Sequence, residues 1–200
     1  MATYASIKYD MDLSSNATGT GGMTLISTTT ASSSSTLDTT SGIDSTYKEY
    51  VFKFIDIHGS AQGSNYFQVN FRDGSSAFDA TKTTTLFRTY NFEDDSTAAV
   101  AYEAEHDLQQ STGALKIAQG ISTDNDHCTV GTLHLFDPSS TTFVKHFISD
   151  TQTAHENDAS YRWLVAGYCN VTAAIDGVQF SMSSGNIDSG KIKLYGIKDS

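Results

Sequence analysis

Six histidines, two cysteines and 23 acidic residues are the groups in this 200-residue chain whose types could do chemistry. Zinc asks for three or four convergent ligands. His134 and His146 stand on the two arms of a hairpin signalled by "LHLFDPSSTTFVKHF". With the turn centred near Ser139-Ser140, His146 pairs next to Leu133 and His134 next to Lys145, so the imidazoles lie on a diagonal. Two ligands fall short of a metal site. Both histidines are expected as partly buried residues with satisfied ring nitrogens. "STDNDHC" gathers Asp124, Asn125 and Asp126. It lacks the spacing and terminal acid of an EF-hand loop, and an Asx-rich turn is the plainer reading. Whether it takes Ca²⁺ is left open by the sequence. "EDDS" at Glu93 to Ser96 reads the same way, or as a helix N-terminus.

Glycoside hydrolysis needs two carboxylates facing each other across a cleft. Nothing marks Glu103 and Glu105 as such a pair. There is no G-x-S-x-G elbow among the many serines, no G-x-G-x-x-G and no phosphate-binding loop. The chain is therefore expected to be non-enzymatic, with no cofactor and no metal. The remaining candidates are aromatic. Tyr66, Tyr90 and Tyr102, together with Asp124 and Asp126, could contact a glycan by ring stacking and hydrogen bonding. Trp163, in the middle of "YRWLVAGYC", is expected to fill the core instead. Tyrosines also suit subunit interfaces.

These groups need a framework, and the framework reads as β. "NYFQVNFR" alternates Phe67, Val69 and Phe71 against Gln68 and Asn70. "YKEYVFKFIDIH" sends Tyr50, Phe52 and Phe54 one way and Val51 and Ile55 the other. "TTTLFRTYNFE", "ALKIAQGI", "CTVGTLHLF", "TFVKHFIS", "YRWLVAGYC", "VQFSMSS" and "KIKLYGIK" also read as strands, with turn signals such as Asp73-Gly74 between them. The Ser/Thr-rich stretch from Met23 to Thr40 lacks the prolines of a mucin-like stalk. It reads as a β-hairpin with its turn at Ser32 to Ser35. "DDSTAAVAYEAEHDLQQ" is the one helix-friendly segment, alanine-rich and capped by Asp95 or Ser96. About ten strands at short spacing predict an antiparallel β-sandwich of jelly-roll type with one short helix.

Residues 1–22 read as a leader. "SSNATGTGG" is a small, polar, glycine-rich connector. "TYASIKYDM" before it alternates, and Tyr4, Ile7, Tyr9 and Met11 are candidates to bind a partner by adding a strand to it. Residues 23–200 then form a single sandwich domain.

Composition narrows the partners. Serine and threonine make up about a quarter of the chain, and Phe and Tyr number 11 and 10, which suits pleated surfaces. The formal net charge is -11. It opposes binding to nucleic acid or to anionic membranes. Cys128 and Cys169 do not make a disulfide framework and are expected as small buried thiols. No signal peptide or membrane span is visible, so synthesis in a reducing cytoplasm is expected and the sequons at Asn16 and Asn170 carry no weight.

Three phrases carry a resemblance. "MTLISTTTASSSSTLDTTSGIDSTYKEYVFKFIDIH", "GTLHLFDPSSTTFVKHF" and "SSGNIDSGKIKLYGIK" resemble a group of proteins from tailed phages of marine and freshwater bacteria, cyanophages among them. The resemblance starts near residue 22 and leaves the leader unmatched. It implies a protein of the virion surface, either a capsid decoration or a tail-associated β-sandwich, made in the host bacterial cytoplasm. It carries no enzymatic residues. The implied partners are other virion subunits, in a homo-oligomer such as a trimer. A glycan-binding module of a tail fibre or tail tip, contacting the host surface, is the alternative.

Overall fold

Alternation of side chains builds this molecule, and the inward set of each strand defines the core. In the computed structural model, which describes residues 22–198, Tyr50, Phe52 and Phe54 turn inward from one strand and Phe67, Val69 and Phe71 from another. Phe180 sits edge-on to Phe52 and Phe54 and stacks on Phe67, with ring centroids 5.3–5.7 Å apart. Such offset and edge-to-face contacts add to the stabilisation from burial alone.

Twelve strands are described. They are β1 (Met23–Thr30), β2 (Thr36–Thr39), β3 (Glu49–Gly59), β4 (Tyr66–Arg72), β5 (Lys82–Phe92) and β6 (Ala98–Tyr102), then β7 (Leu115–Gln119), β8 (Thr129–Phe136), β9 (Lys145–His155), β10 (Ala159–Cys169), β11 (Gly177–Met182) and β12 (Ile187–Ile197). They form two antiparallel sheets. The larger runs β1-β12-β3-β8-β9-β10-β5-β6 and the smaller β2-β11-β4-β7. One continuous core lies between them. The fold is an antiparallel β-sandwich, as expected. Four pairs nest around one another: β1 with β12, β2 with β11, β3 with β8, and β4 with β7.

Three expectations are corrected. The alanine-rich segment forms no helix, and there is none among the described residues. Ala98–Tyr102 is instead the edge strand β6, paired with β5 from Phe87↔Tyr102 to Asn91↔Ala98. The pairing partner was already in place on β5, and helix propensity is a weak prior against it. Met23 to Thr40 is not a hairpin. β1 joins the large sheet and β2 the small one, so Ala31–Ser35 crosses between layers. The serines mark where the chain bends and say nothing about where it goes next. The stretch is nonetheless part of the sandwich. Finally, the β8–β9 hairpin pairs His134 with Ile148 and Leu135 with Phe147. Its loop runs from 137 to 144. Ser140 N–H donates to the Asp137 carbonyl (3.0 Å), and the Ser140 hydroxyl then accepts from Phe143 N–H (2.9 Å). These local bonds lengthen the loop and move the register.

Candidate functional site

The predicted site residues fall in three places. Tyr66 and Tyr90 belong to an aromatic and ionic cluster at one flank of the sandwich. Trp163 lies at its floor, fully buried as expected. His106 stacks on Trp163 at 5.8 Å and sits edge-on to Tyr66 at 5.0 Å. Lys116 Nζ donates to His106 Nδ1 (3.2 Å). That leaves Nε2–H to donate to the Tyr66 hydroxyl (3.2 Å). Tyr90 stacks on Tyr161 at 5.1 Å, and Tyr161 on His155 at 4.0 Å. Arg88 lies 5.3 Å from both the Tyr90 and Tyr161 rings and holds Glu103 with Nε 2.6 Å from Oε1. Burial raises the Tyr66 and Tyr161 phenols and lowers His155. These charged and aromatic groups pack against one another across five strands and a loop, which is the work of a structural lock. Arg88→Met strands the Glu103 carboxylate. It is expected to cost about 2–3 kcal/mol in chemical denaturation, below the range for a fully dry pair because both side chains keep some solvent contact.

Asp126 lines a second place, a polar pocket of about 320 Å³ at the loop end of the large sheet, and Asp124 borders it through its backbone. Its walls come from three distant segments: Asp56 and His58 of β3, the loop 125–128, and Asp188 and Ser189 of β12. A bulge brings them together. The β3–β8 register shifts between Phe54 and Ile57, and the β3–β12 register shifts between Ser189 and Lys191. Asp56 takes a positive φ of 51° at the bulge. Gly190 (φ 116°) allows the close approach, since a Cβ there would lie 2.6 Å from the Asp56 carbonyl oxygen. His58 Nε2–H donates to the Asp124 carbonyl (3.1 Å), and Nδ1 lies 3.5 Å from Asp188 Oδ2. Asp126 is exposed, 3.9 Å from His127 Nε2. Cys128 lies 3.9 Å from Asp56 Oδ1. Burial and then the Asp56 charge push its thiol up, which lowers its thiolate fraction at neutral pH. Among the described residues, no three His, Cys, Asp or Glu side chains are grouped to hold a metal ion. The pocket offers carboxylate acceptors and the Asn125 amide to a polar ligand.

The third place is the outer face of the large sheet. Tyr102 stands on it, exposed, its hydroxyl donating to Asp107 Oδ2 (2.6 Å). Phe87, Val100 and Ile148 are exposed beside or near it. A trough of about 460 Å³ is cut into the same face, walled by Thr83, Thr85, His146, Ile148, Ala166 and Tyr168. A smaller apolar hollow continues it past Thr85, Ile148 and Ala166 to Phe87 and Leu164. Ala166 is the small outward residue in its floor. Beneath it Gly167 faces inward, where a Cβ would lie 2.6 Å from the Thr83 carbonyl oxygen and 2.8 Å from Phe147 Cζ. His146 sits at one end, edge-on to Tyr168 at 6.0 Å. His134 is turned away, donating from Nδ1 to Glu49 Oε1 at 2.6 Å. The two histidines share the outer face without sharing a ligand.

No protein-family model, curated protein or solved structure matches this chain.

Tyr66 and Tyr90, Asp124 and Asp126, and Tyr102 therefore do not share one surface. Tyr4, Ile7, Tyr9 and Met11 lie outside the described residues. Sequence reasoning found the Asp124–Asp126 half of the polar pocket and missed Asp56, His58 and Asp188, whose approach depends on a bulge. It missed the trough as well, although the run of small residues in "LVAGY" facing "KTTTL" was its one sequence signal.

Proposed function

We propose that this chain is a non-enzymatic structural protein of a tailed-phage virion surface, a capsid decoration or tail-associated subunit made in the host bacterial cytoplasm. In this reading it binds neighbouring virion subunits through the leader, residues 1–22, and through its edge strands. The observation that carries it is the outer sheet face. Phe87, Val100, Tyr102 and Ile148 are 43–73% exposed and lie on or beside the apolar trough. Soluble proteins rarely leave such bands uncovered without a partner. β1 and β6 end the large sheet and β2 and β7 the small one, so each offers an edge to a neighbour. The leader runs directly into the edge strand β1. The nested pairing of β1/β12, β2/β11, β3/β8 and β4/β7 supports the jelly-roll reading, with β5, β6, β9 and β10 widening one layer. The phrase-level resemblance to phage proteins points the same way. A closed homo-oligomer accords with the general preference for symmetry, and a trimer is what the resemblance to phage proteins implies.

Imaging of purified particles tests this reading. Hundreds of copies over the head identify a decoration protein, and a few at the tail identify a tail subunit. Absence from particles ends the virion reading. Deleting residues 1–20 should leave the sandwich folded and unable to join particles. Full incorporation of the truncated chain would remove the tether.

The polar pocket favours a second reading, a glycan-binding module of a tail fibre or tail tip. Asp126, Asn125 and Asp188 offer acceptors and donors suited to sugar hydroxyls. A glycan array, run with and without chelator, tests it. Silence against host polysaccharides would eliminate it.

A further inference from the structure

At one end of the large sheet, β6 turns a row of backbone groups outward. Phe92 N–H donates to the Thr97 carbonyl and Glu103 N–H to the Leu86 carbonyl, both at 3.0 Å. In an antiparallel ladder the bonded residues alternate. With the register running from Phe87↔Tyr102 to Asn91↔Ala98, Ala99 and Ala101 therefore bond inward to β5. The N–H and C=O groups of Ala98, Val100 and Tyr102 point away from the sheet. Among the described residues, no strand pairs with that side. The three side chains share the outer face with Phe87, and Val100 and Tyr102 are 73% and 58% exposed.

Natural edges are protected by charge, proline, a bulge or shortness. The other three edges have such protection. β1 is bulged between Leu25 and Ser27, β2 is four residues long and carries Asp38, and β7 carries Lys116. β6 has no charge, no proline and an unbroken register. Its alanines put little bulk in the way of an approaching backbone. The residues at its two ends decide the partner. Glu93, Asp94 and Asp95 precede it and Glu103, Glu105 and Asp107 follow it, with no lysine or arginine from 93 to 107. Arg88 neutralises Glu103, and the remaining acids stand at both ends. A second copy pairing antiparallel on this edge, centred on Val100, would set Glu105 against Asp95, and like charges opposed in this way are destabilising. The edge selects instead a strand with basic ends.

We propose that β6 is the docking edge for an extended segment of another protein, apolar at its centre and carrying lysine or arginine at both ends. The segment adds a ninth strand to the large sheet. Its backbone bonds to Ala98, Val100 and Tyr102, its apolar side chains continue the exposed surface of Val100, Tyr102 and Phe87, and its basic ends meet the acids. The inference deepens the assembly reading and rests on it for the source of the segment. It names the edge and the chemistry that a neighbouring subunit brings.

Peptide binding to the isolated chain tests it, independently of where the chain sits on particles. The probe is a fluorescently labelled peptide with Lys-Lys at each end and Thr-Val-Thr-Val-Thr between. Anisotropy should show saturable binding, weakened roughly tenfold when the ends are Glu-Glu and weakened by added salt. Val100→Pro should abolish it. The Val100 N–H points outward, so proline there removes no bond of the β5–β6 ladder, and an edge strand tolerates it. An unchanged melting transition checks the fold of the variant. A second probe leaves the protein intact: the lysine peptide N-methylated at its five central residues cannot donate to β6 and should not bind. Failure of the lysine peptide to bind at about 1 mM overturns the proposal. So does equal binding by the folded Val100→Pro protein, by the N-methylated peptide or by the glutamate peptide. A parent chain that dimerises, and that Val100→Pro makes monomeric, gives the edge to a second copy and overturns it too.

Discussion

Raising the pH from 8 to 9 is expected to stabilise this protein, and raising it beyond 10.5 to destabilise it. The cause is a row of three buried groups across the large sheet. Cys169 on β10 pairs with Lys82 on β5 and with Lys145 on β9, and all three side chains are fully buried. Lys82 Nζ donates to Asn70 Oδ1 (2.5 Å) and to the Ala80 carbonyl (3.0 Å). Lys145 Nζ donates to the Val171 carbonyl (2.6 Å). Burial still disfavours the ammonium, bringing Lys82 from 10.5 down to about 8 and lowering Lys145 as well. Between pH 8 and 10.5 the unfolded chain therefore binds more protons than the folded one, and stability rises with pH. Cys169 acts in the opposite sense. Burial lifts its thiol from 9 to about 12. The folded chain then holds more protons above pH 9, and stability falls.

The two slopes oppose each other between 9 and 10.5, so the profile climbs, levels and then drops. Burial also raises the Tyr50, Tyr66 and Tyr161 phenols, which steepens the drop. One group titrating over one pH unit is worth about 1.4 kcal/mol at most, so the climb is on the order of 1 kcal/mol. Lys82→Met should flatten most of the climb, leaving the part due to Lys145. Cys169→Ala should shrink the fall without abolishing it. Denaturant midpoints at pH 8, 9, 10 and 11 measure this. A profile with no climb in the parent chain would mean that the buried lysines keep ordinary affinities.

The row of buried lysines shows where reading from sequence stops. Lys82 and Lys145 stand at the heads of good strands, where a charged residue signals a solvent-facing end. Only the pairing of β5, β10 and β9 makes them neighbours of one cysteine. The inward faces were legible for the opposite reason. Phe67, Val69 and Phe71 alternate with polar residues, and period two has one meaning for a half-buried strand. The alanines of β6 misled because an edge strand with little to bury carries no such alternation. Their helix propensity was then the strongest local signal, and pairing with β5 outweighed it. The polar pocket was half legible. Asp124 and Asp126 are two residues apart in sequence, whereas Asp56 and Asp188 meet across a bulge that depends on Gly190. Of the aromatic cluster, Tyr66, Tyr90 and Trp163 were named without their geometry, and His106, His155, Arg88 and Lys116, which join it from other strands and a loop, were not. Trp163 was rightly assigned to the core, while Tyr66, read as exposed, lies against it.

Trp163→Ala is expected to be among the most damaging single changes, at about 3–5 kcal/mol. The indole is fully buried and meets both sheets, since its own strand lies in the large one and Tyr66, 6.1 Å away, lies in the small one. His106 stacks on it beside Tyr66, 5.8 Å from the indole and 5.0 Å from the Tyr66 ring, so the loss reaches the segment between β6 and β7. Truncation would leave a cavity that neither sheet can close without shifting its ladder. Trp163→Phe separates packing from polarity. Nε1 is buried with no hydrogen-bond partner among the described residues, so the substitution breaks no hydrogen bond there and removes a buried donor that costs stability as it stands. The smaller phenyl ring would keep the stacking with His106 while losing part of the indole volume, and the two effects oppose each other. The expected net cost is below about 1.5 kcal/mol, as for near-isosteric swaps. Denaturation of both variants tests the argument. A loss with Trp163→Phe as large as that with Trp163→Ala would show that a phenyl ring recovers none of the indole's contacts between the two layers.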